Sequence, residues 1–292
     1  MTDKVFLDLD QKALDDAYDQ QVWAPNSKLV NARLAVLSEQ VRARVGAPLR
    51  AAYGPTEVEQ LDVYRTQAPD APVMIYIHGG AWKGHLARDH AYPGEMLTRA
   101  GAHLVVPDFA PVQDVGASLL PMVDQVRRAV KWTYQNAATF GGNAKRLYVC
   151  GRSSGAHLSA CAAITDWPHA FDLPADVVKG YVFQSGMYDL RGPRLSKRGQ
   201  YVNFTDEMED ALSPMRHVER INAPVSMMVG TLESPEFQRQ SRDFAQALAD
   251  AGKPVVFEIA EGYNHFEIAE TAANPFGVVG RALLAMLGLQ PR

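Results

Sequence analysis

Cysteine is scarce in this 292-residue chain, with only Cys150 and Cys161 present. Two thiols exclude a disulfide framework. One ends a strand-like run and the other lies two turns into the helix-like run after it, so both read as small buried side chains rather than a bridge or ligand pair. No group of His, Cys and carboxylates has metal-ligand spacing, and neither a metal nor a cofactor is expected. A basic excess is also missing: 29 Lys and Arg against 33 Asp and Glu leave a formal net charge of -4. That balance gives no electrostatic reason to bind nucleic acid or an anionic membrane. Nowhere is there an apolar run long enough to span a bilayer. The start, with Asp3, Asp8, Asp10, Asp15 and Asp16, lacks the basic flank and apolar stretch of a signal peptide, so the expected compartment is the cytoplasm. Internal repeats and low-complexity segments are absent as well, and the length suits one domain with a substantial core.

What is present centres on Gly151-Arg152-Ser153-Ser154-Gly155. Arg146-Leu147-Tyr148-Val149-Cys150 before it has strand character, and Ala156-His157-Leu158-Ser159-Ala160-Cys161-Ala162-Ala163 after it reads as a helix. Ser153 is therefore expected on a sharp strand-to-helix turn, presented as a nucleophile. The two glycines are needed where a side chain would collide with the neighbouring strand or helix.

A nucleophilic serine needs a base, and the base needs an orienting acid. The strand-like Pro224-Val225-Ser226-Met227-Met228-Val229-Gly230 is followed by Thr231-Leu232-Glu233, which puts a carboxylate just beyond the end of a strand. Glu233 is the expected acid. Glu236 is its rival, although in the first turn of a helix over residues 235–251 it would suit the helix dipole. A later strand, Pro254 to Ile259 in sequence, runs into Glu261-Gly262-Tyr263-Asn264-His265-Phe266. His265 is the base candidate, because it alone among the eight histidines is both late in the chain and in a loop after a strand.

The third requirement is a set of donors for a developing oxyanion. Val73-Met74-Ile75-Tyr76-Ile77 reads as a buried strand ending in the glycine-rich His78-Gly79-Gly80-Ala81-Trp82. Small residues there let the main chain approach a ligand, and the N–H groups of Gly80, Ala81 and Ser154 are the expected donors. The ring of His78 is expected to hold this loop in place, whereas His85 and His90 read as solvated side chains or as part of a pocket rim, and His157 as a packing residue. Arg152 stays open between a salt bridge behind the turn and contact with an anionic substrate group. Trp82, Arg152 and Tyr188 are the substrate-binding candidates, and Tyr18, Trp23 and Tyr201 join Trp82 and Tyr188 as candidates for an aromatic pocket wall.

These motifs, with Pro107-Asp108-Phe109, Phe140-Gly141-Gly142-Asn143, Ser185-Gly186-Met187-Tyr188-Asp189-Leu190, Leu212-Ser213-Pro214 and Asn264-His265-Phe266, make the chain similar to the arylformamidase branch of the α/β-hydrolases. That branch neighbours the hormone-sensitive-lipase-like esterases. The resemblance runs through most of the chain beyond about residue 70. It implies a serine hydrolase that cleaves a small amide or ester through an acyl-enzyme on Ser153, with an aryl formamide or related N-acyl compound as first choice and small acyl esters as the alternative. Departures from the family pattern are Ala81 for a bulkier residue such as Tyr, Arg152 for His or Gly, Ser154 for Ala, and Glu233 for Asp. They suggest an altered pocket. A binding protein that reuses the fold is a reading of another class, and the retention of Ser153, Glu233 and His265 argues against it. The expected partner is a small molecule, with a homodimer left open.

The fold class expected is α/β, with a mostly parallel sheet and helices on both faces. Residues 1–292 read as one domain. Within it, residues 1–48 form a helical cap segment of two stretches separated by Trp23-Ala24-Pro25-Asn26, with Ser27 capping the second. Short strands are expected near residues 49–53 and 60–65. Residues 187–218 interrupt the strand-helix alternation and read as a cap insertion.

Overall fold

Alternating strands and helices build one eight-stranded sheet in the computed structural model, which describes residues 3–291. The strands are β1 (Leu49–Ala52), β2 (Gln60–Tyr64), β3 (Ala71–Ile77), β4 (His103–Pro107), β5 (Gly142–Arg152), β6 (Tyr181–Gln184), β7 (Val225–Gly230) and β8 (Val255–Ala260). They lie in the order β1-β2-β4-β3-β5-β6-β7-β8. Pairing is antiparallel for β1 with β2 and for β2 with β4, and parallel elsewhere.

The helices are α1 (Gln11–Ala17), α2 (Gln20–Trp23), α3 (Ser27–Val45), α4 (Gly94–Ala100), α5 (Leu119–Asn136), α6 (Ser154–Ala163), α7 (Trp167–Phe171), α8 (Arg191–Leu195), α9 (Asp206–Ala211), α10 (Pro235–Asp250), α11 (Glu267–Glu270) and α12 (Val278–Leu287). Side chains of β3 show why both sheet faces are covered. Val73, Ile75 and Ile77 enter one core with residues of α5, α6 and α10, while Met74 and Tyr76 enter the other with residues of α3, α4 and α12. Successive strand residues point to opposite faces, so an unbroken apolar strand needs a helical layer on each side.

The N-terminal segment differs from the two stretches expected: it forms three helices. Asp10 caps α1 by accepting from the Ala13 N–H at 2.9 Å, and Asp19 caps α2 by accepting from the Gln21 N–H at 3.1 Å. The expected break over residues 23–26 is present between α2 and α3, and an additional one falls at Tyr18-Asp19, where a second capping carboxylate starts a new helix. Ser27 is also not a cap but the first helical residue, preceded by Asn26. Asn26 makes no capping bond; its amide donates to Glu267 at 2.6 Å, and its side-chain oxygen accepts from Asn264 at 2.9 Å.

Residues 187–218 hold α8, α9 and short 3-10 turns between β6 and β7. The N-terminal helices lie against this insertion. Gln11 donates to the Leu195 carbonyl at 2.9 Å, the Lys197 N–H donates to Asp15 at 2.6 Å, and the Lys197 ammonium pairs with Asp19.

Candidate active site

Ser153 sits between β5 and α6 with φ 55° and ψ -125°, a conformation rarely open to a residue with a side chain. Neighbouring bonds hold it there. Its N–H donates to the Gln184 carbonyl at 2.8 Å, and its own carbonyl accepts from Ala156 at 2.9 Å. A Cβ on Gly151 would come within 2.3 Å of the Gly155 carbonyl oxygen, and one on Gly155 within 2.2 Å of the Ile77 carbonyl oxygen. The turn is thus closed against both the helix after it and the adjacent strand.

His265 Nε2 lies 2.9 Å from Ser153 Oγ, and His265 Nδ1 lies 2.6 Å from Glu233 Oε2. The loops after β7 and β8 bring these residues together, locked by the Leu232 N–H donating to the Tyr263 carbonyl at 3.0 Å. The other oxygen of Glu233 accepts from Ser185 Oγ at 2.6 Å and from the Gly230 N–H at 2.8 Å. Both carboxylate oxygens are therefore hydrogen-bonded, as a buried charge requires. Burial pushes the His265 pKa below its usual value, opposed by Glu233 and assisted by the charges of Arg152 and Arg198. The imidazole is neutral near pH 7 and able to take a proton from the hydroxyl it faces.

Glu236 is occupied elsewhere. Arg239 donates to both of its oxygens, at 2.7 and 2.8 Å, and the Tyr18 hydroxyl donates to it at 2.9 Å. It lies in the first turn of α10, capped by Ser234.

The loop after β3 is held in the left-handed region, with φ 125° at Gly80, 54° at Ala81 and 63° at Trp82. Its strain is sustained by specific contacts. Ser154 Oγ accepts from the Trp82 N–H at 3.3 Å, the Gly80 carbonyl accepts from Lys83 at 2.9 Å, and His78 Nδ1 lies 2.9 Å from the Gly79 carbonyl oxygen. Among the described residues, Gly80 and Ala81 make no main-chain N–H hydrogen bond. The Ser154 N–H is one of the donors that the first turn of a helix leaves without an intrahelical partner. Among the described residues these three N–H groups near Ser153 have no protein acceptor.

A cavity of about 710 Å³ opens over Ser153 and His265. Gly80, Ala81 and Arg152 line it, as do Tyr18, Asp19 and Gln20 from the N-terminal segment and Lys197, Arg198 and Tyr201 from the insertion. Two of the substrate-binding candidates lie outside its lining. Trp82 is buried, with its indole N–H donating to His157 Nδ1 at 3.3 Å. Tyr188 is fully buried and stacks on Phe244 at 4.3 Å between ring centroids, so it packs the insertion against α10. Tyr18 and Tyr201 do line the cavity, whereas Trp23 does not.

Both histidines left open as pocket-rim residues lie at the cavity. His85 is exposed at the cavity, but His90 is buried there, in a stack with His78 at 4.9 Å between centroids. Its pKa lies well below the usual value through burial and the nearby His78, His85 and Arg152. His157 Nε2 lies 2.8 Å from the Leu212 carbonyl oxygen, and burial lowers its pKa to about 4. With the Trp82 indole on its other nitrogen, it joins the glycine-rich loop to the insertion. Sequence reasoning missed Ser185 and Arg198 individually; a lone serine after a strand and one arginine in a charge-rich insertion give no local signal.

The BD-FAE family profile matches residues 61–187. A kynurenine formamidase of Danio rerio is 32% identical over 94% of this chain and 96% of its own length. The chain belongs to the kynurenine formamidase family. The esterase LipQ of Mycobacterium tuberculosis is 29% identical over 81% of this chain and 61% of its own length. In structure, a thermostable carboxylesterase from a metagenomic library superposes with a TM-score of 0.70 over 91% of this chain and 98% of its own, at 19% identity. Such family members and this sheet make the protein an α/β-hydrolase enzyme acting on small amide or ester substrates. Among the described residues no helix is long and apolar enough to cross a membrane, and no group of three or more His, Cys, Asp or Glu is placed to hold a metal ion.

Proposed function

We propose that Ser153 is an acylated nucleophile, His265 its general base and acid, and Glu233 the residue that orients the imidazole. The observation that carries this reading is the hydrogen-bonded chain from Ser153 through His265 to Glu233, at 2.9 and 2.6 Å, beneath an open cavity. As Ser153 Oγ bonds to the substrate carbonyl carbon, its proton passes to His265 Nε2. The carbonyl π electrons move onto oxygen, where Gly80, Ala81 and Ser154 N–H groups receive the charge. Collapse breaks the bond to the leaving nitrogen or oxygen, which takes the proton from His265. Water, deprotonated by the same imidazole, then releases the acid and restores Ser153.

The substrate proposed is an aryl formamide or related N-acyl compound, in line with the kynurenine formamidase of Danio rerio. The small side chain of Ala81, itself one of the proposed donors, favours a second reading in which larger acyl groups and small esters are also accepted, as the name of LipQ suggests for that relative. The N-terminal helices and residues 187–218 would act as a cap that binds substrate and excludes water. The deciding experiment compares kcat/KM for formanilide, acetanilide and short-chain aryl esters, and locates the acyl group by mass spectrometry after rapid quenching. Turnover with acylation of Ser153 supports the reading. Turnover with no acylation of Ser153, and full activity in folded Ser153→Ala, overturns it.

A further inference from the structure

The cavity has an uneven charge. Lys83, Arg152, Lys197 and Arg198 line it with one carboxylate, Asp19, which already pairs with Lys197. The chain as a whole is acidic, at a formal net charge of -4, so the positive lining is local to this site. Arg152 stands out most. It is 5% exposed, its Nε has no hydrogen-bond partner, and among the described residues no carboxylate pairs with it. Its guanidinium carbon lies 5.7 Å from the centre of the Phe266 ring.

Three half-buried arginines are neutralised by carboxylates, and Arg198, also 5% exposed and without one, still donates to the Tyr201 hydroxyl and the Tyr18 carbonyl at 3.0 Å. Arg50 meets Asp62 and Asp108, Arg128 meets Glu59, and Arg239 meets Glu236. A guanidinium withdrawn from water without such a partner is costly, and a bidentate donor fork of this kind matches a carboxylate. Beside it, His90 is 5% exposed with both ring nitrogens unpartnered, and it lines the same cavity. A neutral imidazole there can give one further N–H to an anion.

We infer that Arg152 and His90 form a carboxylate subsite within the catalytic cavity, selecting substrates that carry a free carboxylate and no ammonium group. The inference rests on the proposed hydrolysis at Ser153 and adds the charge class of the compound hydrolysed. A zwitterion is disfavoured because, with Lys197 paired to Asp19, three lining cations stay uncompensated and no lining carboxylate is left to meet an ammonium group. The subsite also accounts for the departure at position 152, where the family resemblance leads one to expect His or Gly.

The test uses two pairs that differ in charge. 2-Formamidobenzoate against formanilide places the carboxylate on the leaving side; mono-4-nitrophenyl succinate against 4-nitrophenyl acetate places it on the acyl side. Wild type should favour the carboxylate member of at least one pair by about 10- to 100-fold in kcat/KM, the range of one charge-assisted hydrogen-bonded contact. Arg152→Gln should bring that ratio toward one, while Arg152→Lys should keep part of it. Adding an α-ammonium group to the favoured anion should lower kcat/KM. Benzoate should inhibit wild type competitively and more strongly than benzamide, a comparison that needs no variant. Wild-type turnover of the neutral members with no carboxylate preference in either pair, or an unchanged ratio in folded Arg152→Gln, overturns the subsite while leaving the hydrolase reading intact. Inertness towards all four compounds together with benzoate no stronger than benzamide overturns both.

Discussion

Ser154 Oγ accepts the main-chain N–H of Trp82 at 3.3 Å, tying the first residue of α6 to the loop that carries Gly80 and Ala81. The family resemblance leads one to expect Ala at 154, so the hydroxyl is an addition that fixes the loop with respect to Ser153. Removing one such bond costs about 1 kcal/mol. Ser154→Ala should therefore lower kcat by about 2- to 10-fold with little change in KM, because the groups displaced act on the developing oxyanion. Steady-state kinetics on one formanilide and one aryl ester check this, and an effect confined to KM would point to substrate binding instead.

The 2.9 Å contact between Ser153 and His265 predicts a non-additive pair. Ser153→Ala and His265→Ala should each reduce kcat by about three or more orders of magnitude, and the double variant should lose little more, since the two residues act as a unit. Circular dichroism and thermal unfolding establish that the variants fold. Losses that multiply in the double variant would mean the two side chains act in separate steps.

Glu233 and Glu236, three residues apart, should separate cleanly. Glu233→Gln keeps the shape but removes the charge facing His265 Nδ1, so kcat should fall by about two to four orders of magnitude. Glu236→Gln weakens the contacts with Arg239 and Tyr18, and should instead lower thermal stability with a mild effect on kcat. Parallel melting and kinetic measurements rank them, and the reverse order in kcat would move the acid to Glu236.

Much of this arrangement is visible in the chain itself. The strand-to-helix turn at Ser153, the post-strand carboxylate and the late histidine each follow an apolar run whose end is marked by Gly or a turn, so their elements appear locally as β5, β7 and β8. The cavity walls are not local. Trp82 and Tyr188 look like pocket aromatics by composition, yet the first is buried on His157 and the second stacks on Phe244. His90 looks like a loop histidine, but the stack with His78 and the proximity of Arg152 bury it. The break at Tyr18-Asp19 was hidden because the helical pattern continues through it, and only the capping bond to Gln21 reveals a new start.

The pH dependence follows from the lowered pKa of His265. The neutral imidazole is the base, so kcat/KM should be retained as pH falls below 6.5 and be lost only as the pH passes through the depressed value. Burial is the main cause, and the positive charges of Arg152 and Arg198 add to it. Arg152→Gln removes one of those charges, which eases protonation and moves the acid limb to higher pH. A kcat/KM profile on a neutral ester reads the shift without interference from substrate ionisation. An acid limb that stays in place would show that Arg152 does not act on the base.

Ala81 gives the last prediction, because it occupies a cavity-lining position at φ 54° between Gly80 and the buried Trp82. A methyl group there leaves room for an acyl chain larger than formyl, whereas a tyrosine would project its ring into that space. Wild type should hydrolyse formyl and acetyl anilides with kcat/KM values within about 10- to 100-fold of each other, since one or two carbons in an apolar site discriminate weakly. Ala81→Tyr should raise the formyl-to-acetyl ratio by excluding the larger group, chiefly through loss on acetanilide. Any strain from a bulkier residue at positive φ should reduce both rates together and cancel in the ratio. An unchanged ratio in the variant, with wild type confined to formyl compounds, would mean that selection against larger acyl groups resides elsewhere in the cavity and that the enzyme is a dedicated formamidase.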